Sequence, residues 1–89
     1  MAIQNIAPKA PVHYLLLPKK HIDSIAFITD QDQEFCWHMC QLARDLGAEL
    51  PNKSFNLISN NGAAAGQSVF HLHWHFLAGK NIYEHGLQL

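Results

Sequence analysis

Three histidines stand at alternate positions in His71-Leu72-His73-Trp74-His75-Phe76-Leu77, separated by bulky apolar residues. A β-strand repeats every two residues, so the pattern predicts a strand with its imidazoles on one face and Phe70, Leu72, Trp74 and Phe76 on the other. Any half-exposed strand alternates in this way, and each histidine taken singly reads as a surface residue. Three within five positions make a wall of imidazole instead. The segment directly follows the loop Ser59-Asn60-Asn61-Gly62-Ala63-Ala64-Ala65-Gly66-Gln67-Ser68. Its small side chains would let backbone N–H groups, and its Asn, Gln and Ser side chains, approach an anion closely. Strand and loop together point to phosphate chemistry.

The remaining elements follow from shorter signals. Residues 12–17 form an apolar run between Pro11 and Pro18 and read as a strand, with His13, Leu15 and Leu17 on one face and Val12, Tyr14 and Leu16 on the other. Both faces are apolar, so both are expected to be covered. Residues 2–6 suggest a further short strand, ended at Ala7-Pro8. A helix is expected from Thr29 or Asp30, with Asp30, Asp32 and Glu34 in its first turn as the helix dipole favours. Phe35, Met39, Leu42 and Leu46, flanked by Cys36, Cys40 and Ala43, form its apolar stripe, and either Gly47 is its stop or Ala48-Glu49-Leu50 extend it as far as Pro51. His38 reads as a polar surface residue of this helix. Residues 55–59 and 69–77 complete the order strand, strand, helix, strand, strand, with connections short enough for antiparallel pairing.

A chain of 89 residues makes one small domain, which buries roughly 60 to 65% of its unfolded surface. A hydrophobic fraction of 48% with 15% charged residues describes a globular chain, and so little charge implies apolar surface covered by a partner subunit. A homodimer is therefore expected. The net charge of −1, with Lys19-Lys20-His21 as the basic run, argues against DNA or RNA as a partner. No apolar run reaches membrane-spanning length, and the opening MAIQNIAPKAP has no signal-peptide pattern, so a soluble, cytoplasmic protein is expected. In such a compartment Cys36 and Cys40 are expected to be small core residues rather than a disulfide or half of a zinc site.

Taken as blocks, these residues resemble the histidine triad (HIT) superfamily, whose signature is His-x-His-x-His followed by two apolar residues, with x also apolar. The segment 71–77 satisfies it in full. Ile6-Ala7-Pro8-Lys9-Ala10-Pro11-Val12-His13 and Leu17-Pro18-Lys19-Lys20-His21-Ile22 are similar to the part that precedes the family's helix; Asn60-Asn61-Gly62, Gly66-Gln67-Ser68-Val69 and Ala78-Gly79 are similar to its loop and tail. The resemblance implies an α+β fold: a HIT-like antiparallel sheet with one main helix packed on it, completed by dimerisation. His75, where transferase members carry glutamine, is similar to the hydrolases. Gln67-Ser68 and Pro18-Lys19-Lys20-His21 resemble the HINT branch, which cleaves the P–N bond of purine nucleoside phosphoramidates, more than the dinucleoside polyphosphate hydrolases.

That resemblance implies roles for particular residues. His73, in the middle of the triad, is the nucleophile; His75 binds a phosphate oxygen; His71 helps hold the hydrogen bonds of the site; and His13 supports the triad from the neighbouring strand, with a satisfied core histidine as the alternative reading of it. The chemistry agrees, because a neutral imidazole attacks phosphorus and then leaves, splitting one displacement into two. Asn60, Gln67 and Ser68 contact the phosphate, with Ser68 protonating the leaving amine. No metal or other cofactor is required. Relative to the family the chain opens inside the second strand, so residues 1–89 read as a single HIT-like domain lacking the usual N-terminal segment. Ile3, Ile6 and Leu15 match positions that line the base pocket, Asn5 stands at the ribose-binding aspartate, and Glu84 replaces a tryptophan of some relatives. An amide in place of that carboxylate weakens nucleotide binding by on the order of 1 kcal/mol. A dinucleoside polyphosphate hydrolase, a strand-borne zinc site using His13, and an AMP-binding module with little turnover are the competing expectations.

Overall fold

The computed structural model describes residues 1–4 and 9–81. Four strands, β1 (Ala2–Gln4), β2 (Val12–Leu16), β3 (Asn56–Ile58) and β4 (Trp74–Ala78), form one sheet in the order β1-β2-β4-β3. Every neighbouring pair is antiparallel, and β4, the last described strand, is inserted between β2 and β3. Helix α1 (Gln33–Ala48) lies across one face. The α+β architecture, a HIT-like antiparallel sheet with one main helix, is therefore as expected.

The alternation along β2 and β4 decides what each face holds. Leu16 and Phe76, both at 0% exposure, face the helix and pack with Met39, Ala43 and Ala78. Tyr14 pairs with Phe76, and Leu15 with His75, in the β2–β4 register. His13, Leu15, His75 and Leu77 therefore share the face turned away from the helix. There Leu77 packs with Ala10 and Ile58, whereas Leu15 is half-buried and Ile3 exposed, so this face is covered only in part.

Several element ends differ from expectation. The last strand begins at Trp74 rather than at residue 69 because its ladder partner runs out. Leu16 pairs with Trp74, Pro18 has no N–H to donate, and the N–H of Leu17 is taken by the carbonyl of Met1 at 2.9 Å. Off the ladder, Leu72 donates its N–H to the Ile22 carbonyl instead. At the helix start, Asp30–Asp32 is a 3₁₀ turn capped by Thr29, and α1 follows at Gln33. Thr29 and Lys20 bond the Asp32 carboxylate and hold it below the usual carboxylate range, with the Thr29 backbone N–H the larger cause.

Gly47 does not stop the helix; it is a buried residue inside it. A Cβ there would run into the ring of Phe55, which stacks on Phe76 at a centroid separation of 4.7 Å. The glycine thus serves a close approach of helix to sheet rather than a turn. Met39, Ala43 and Gly47 form the buried stripe, Cys36 is half-buried and Cys40 is exposed, so Cys40 is not the core residue expected of it. The expected strand over residues 2–6 is seen for Ala2–Gln4; Asn5 and Ile6 lie outside the described residues. No described helix is long and apolar enough to cross a membrane.

Gly47→Ala tests this packing. In an open helix the change would gain about 1 kcal/mol of helix propensity. Here overpacking against Phe55 is expected to make the variant about 1–2 kcal/mol less stable in urea unfolding. A stabilised variant would contradict the close contact.

Candidate active site

The site grows from one cross-strand pair. His75 sits on β4 between Leu15 of β2 and Ile58 of β3, its direct partners on either side, and is only 7% exposed. Such flanking by two aliphatic side chains strips water from the ring. Burial, then the charges of His73 and His13, push the His75 pKa down to about 4, so it is neutral at pH 7. His13, two residues before Leu15 on β2 and 3% exposed, is likewise lowered, by burial and then by the charge of Lys9.

Two fixed groups of the backbone set the tautomers. The N–H of Lys9 donates to His13 Nδ1 at 2.9 Å, so the neutral His13 ring carries its proton on Nε2. That proton is donated to His75 Nδ1 at 2.9 Å, which leaves His75 with its own proton on Nε2. At the other end, the carbonyl of His71 accepts from His73 Nδ1 at 2.7 Å. His73 therefore keeps a bare lone pair on Nε2. The rings of His73 and His75 meet edge to face, with centroids 5.2 Å apart. A nucleophilic nitrogen thus stands beside a neutral N–H donor, an arrangement suited to attacking a centre whose oxygen the neighbour holds.

His71 departs from the expected single row of imidazoles. Its ring turns to the segment after β2, donating Nε2–H to the carbonyl of Pro18 at 2.9 Å and meeting His21 edge to face at 5.3 Å. The cause is the early end of the ladder: residues before Trp74 no longer follow the pleat. What His71 gives the nucleophile directly is its backbone carbonyl.

The loop is folded on itself to a degree the sequence did not suggest. Gln67 is buried, its Oε1 accepting from the Gly62 N–H at 2.8 Å and its Nε2 donating to the carbonyls of Asp23 at 2.6 Å and Val69 at 3.0 Å. Its side chain fastens the loop, whereas the expectation was a phosphate contact. The N–H groups of Ala65, Gly66 and Gln67 also bond within the loop, which closes with Gly66 at φ 97°, the left-handed region that glycine tolerates. Asn61 anchors the loop to Ile25, accepting its N–H at 2.8 Å. Asn60 is half-buried and Ser68 exposed. Leu15, the direct partner of His75, borders the site, and beside it on β1 stands Ile3. Among the described residues no group of three His, Cys, Asp or Glu side chains is arranged to hold a metal ion.

The sequence profile of the HIT domain family matches residues 1–82. The chain belongs to the HIT domain family. An uncharacterized HIT-like protein of Synechocystis is 41% identical over 81 residues, covering 90% of this chain and 71% of that protein. HIT family hydrolases from Legionella pneumophila and Clostridium thermocellum superpose with a TM-score of 0.84 each, at 35% and 38% identity; 91% of this chain is covered, with 74% and 72% of theirs. A histidine triad protein from Clostridium difficile gives a TM-score of 0.82 at 38% identity, covering 90% of this chain and 71% of that one. Within the HIT family this chain is hydrolase-like.

The neutral His75 has a measurable consequence for stability. Its ordinary pKa of 6.5 in the unfolded chain lies above the folded value of about 4, so between these pH values the unfolded state binds a proton that the folded state does not. Stability is therefore lost as pH falls from 6.5 toward 4. Urea unfolding at pH 7 and pH 4.5 is expected to show the native chain losing about 2 kcal/mol more than His75→Gln. Equal losses would contradict a buried neutral ring.

Proposed function

We propose that the chain is a nucleotide hydrolase that cleaves the P–N bond of purine nucleoside 5′-phosphoramidates through a nucleotidyl-histidine intermediate. The observation that carries the reading is the bond from His73 Nδ1–H to the His71 carbonyl, which leaves Nε2 as the free nucleophilic nitrogen. His73 Nε2 attacks phosphorus, the P–N bond to the amine breaks, and the amine departs with a proton. Ser68, open to solvent, hands over its hydroxyl proton and regains one from water. As the P–Nε2 bond forms, positive charge develops on the His73 ring, and its Nδ1–H bond to the carbonyl becomes charge-assisted and stronger. The Nε2–H of His75 holds a non-bridging phosphate oxygen. Water then attacks phosphorus, the P–Nε2 bond breaks, and nucleoside monophosphate is released with His73 restored.

Support for this substrate over a dinucleoside polyphosphate comes from the Gln67-Ser68 and Pro18-Lys19-Lys20-His21 blocks, which resemble the phosphoramidase branch. The partly open apolar strip of Ile3 and Leu15 beside His75 suits one face of a purine. We assign the enzyme to the cytoplasm and read it as a homodimer, with exposed Trp37 and Leu57 leaving apolar surface for a second copy.

Incubation with adenosine 5′-phosphoramidate, followed by an alkaline quench and peptide mass spectrometry, is expected to find an acid-labile adenylyl group on His73. In His73→Ala that label should vanish and turnover fall at least about a thousandfold. A label undiminished in the variant would place the nucleophile elsewhere. A higher kcat/KM on a diadenosine polyphosphate would overturn the P–N assignment.

A further inference from the structure

His21 and Asp23 belong to no part of the chemistry described so far, yet they touch it. His21 Nε2 lies 2.7 Å from Asp23 Oδ1, so the imidazole donates to the carboxylate. The His21 ring meets the His71 ring edge to face, with centroids 5.3 Å apart and an interplanar angle of 82°. The two side chains are 68% and 48% exposed, a poor place to gain stability from an ion pair. We propose that the His21–Asp23 pair is a positioning device for the nucleophile, acting through His71; the proposal rests on the reading of His73 given above.

The segment that carries the pair grips the triad at several points. Pro18 accepts from the His71 ring, Ile22 from the Leu72 backbone, and the Asp23 carbonyl from Gln67. Each of these is a single hydrogen bond, about which a group can still swing. For His71 the bond from Nε2 to the Pro18 carbonyl fixes one atom of the imidazole and leaves rotation about that contact open. The edge-to-face packing of His21 closes this freedom, because aromatic pairs favour a defined relative orientation. Asp23 in turn holds the plane of His21 by accepting its N–H. His71 then has one conformation, and its backbone carbonyl, which holds His73 Nδ1–H at 2.7 Å, has one direction. A nucleophilic Nε2 aimed in this way is a matter of fractions of an ångström, to which rates are steeply sensitive. Sequence reading gave His21 a place in a motif and no role, because the contact depends on the chain turning back after Pro18.

Steady-state kinetics with an adenosine phosphoramidate tests the chain of contacts. His21→Ala and Asp23→Asn are expected to lower kcat about tenfold with KM within about twofold. His21→Phe keeps a ring against His71 and is expected to retain kcat within about threefold; adding Asp23→Asn to it should cost nothing more, since the carboxylate acts only through His21. A readout that needs no substrate separates failure of this idea from failure of the functional reading. In the native chain the Hε1 and Hδ2 resonances of His71 should carry a ring-current shift that is lost in His21→Ala and kept in His21→Phe. Unmoved His71 resonances in His21→Ala, or an equal loss of kcat in the alanine and phenylalanine variants, would overturn the proposal. Absence of phosphoramidate turnover by the native chain would instead remove the functional reading and leave the resonances to decide the contact.

Discussion

The register of β2 against β4 governs the whole site. Pairing Leu15 with His75 brings His13 within one hydrogen bond of His75, and it also ends the ladder at Leu16 and Trp74, just before Pro18. Residues 71–73 are released from the sheet at that point. A continued strand would engage main-chain carbonyls with a neighbouring strand; off the ladder, the carbonyl of His71 is turned to the side chain of His73. One register thus supplies a buried neutral donor and a nucleophile with a defined tautomer. A shift by one residue would send the histidines to the helix side and Phe76 to solvent.

The electrostatics follow from burial more than from charge. His75 is flanked by Leu15 and Ile58, and the nearest titratable groups are other imidazoles, which repel a second proton. A neutral His75 offers an N–H group for binding beside the lone pair of His73. The carboxylate of Asp23 engages His21 at the outer edge of the site. The folded loop complements this by using Gln67 as an internal fastener, tied to Gly62 on one side and to the Asp23 carbonyl on the other.

Much of the fold could be read from period alone. The alternation in residues 12–16 and 74–77 gave the correct faces, and the stripe Phe35, Met39, Leu42, Leu46 gave the helix. Element ends were read less well, for identifiable reasons. Gly47 carries the same local signal whether it stops a helix or admits an aromatic ring, and Phe55, which decides the matter, is distant in sequence. Alternation through His71 and His73 looks like strand wherever it occurs, while the end of the ladder depends on Pro18 and Met1. Ile58 and the backbone of Lys9 carry no residue-type signature that marks them as parts of a site, and both act through pairing alone. Gln67 had the right chemistry for a phosphate contact, and only the position of Asp23 shows that its amide is already committed.

The site turns on a tautomer: the neutral His73 ring carries its proton on Nδ1 and is bare on Nε2, next to a His75 protonated on Nε2. Long-range ¹H–¹⁵N correlation spectra of the histidine-labelled protein at pH 7 read this directly, since protonated and bare ring nitrogens resonate far apart. A bare Nε2 is expected for the neutral His73 ring and a bare Nδ1 for His75. A His73 ring carrying its proton on Nε2 would contradict it.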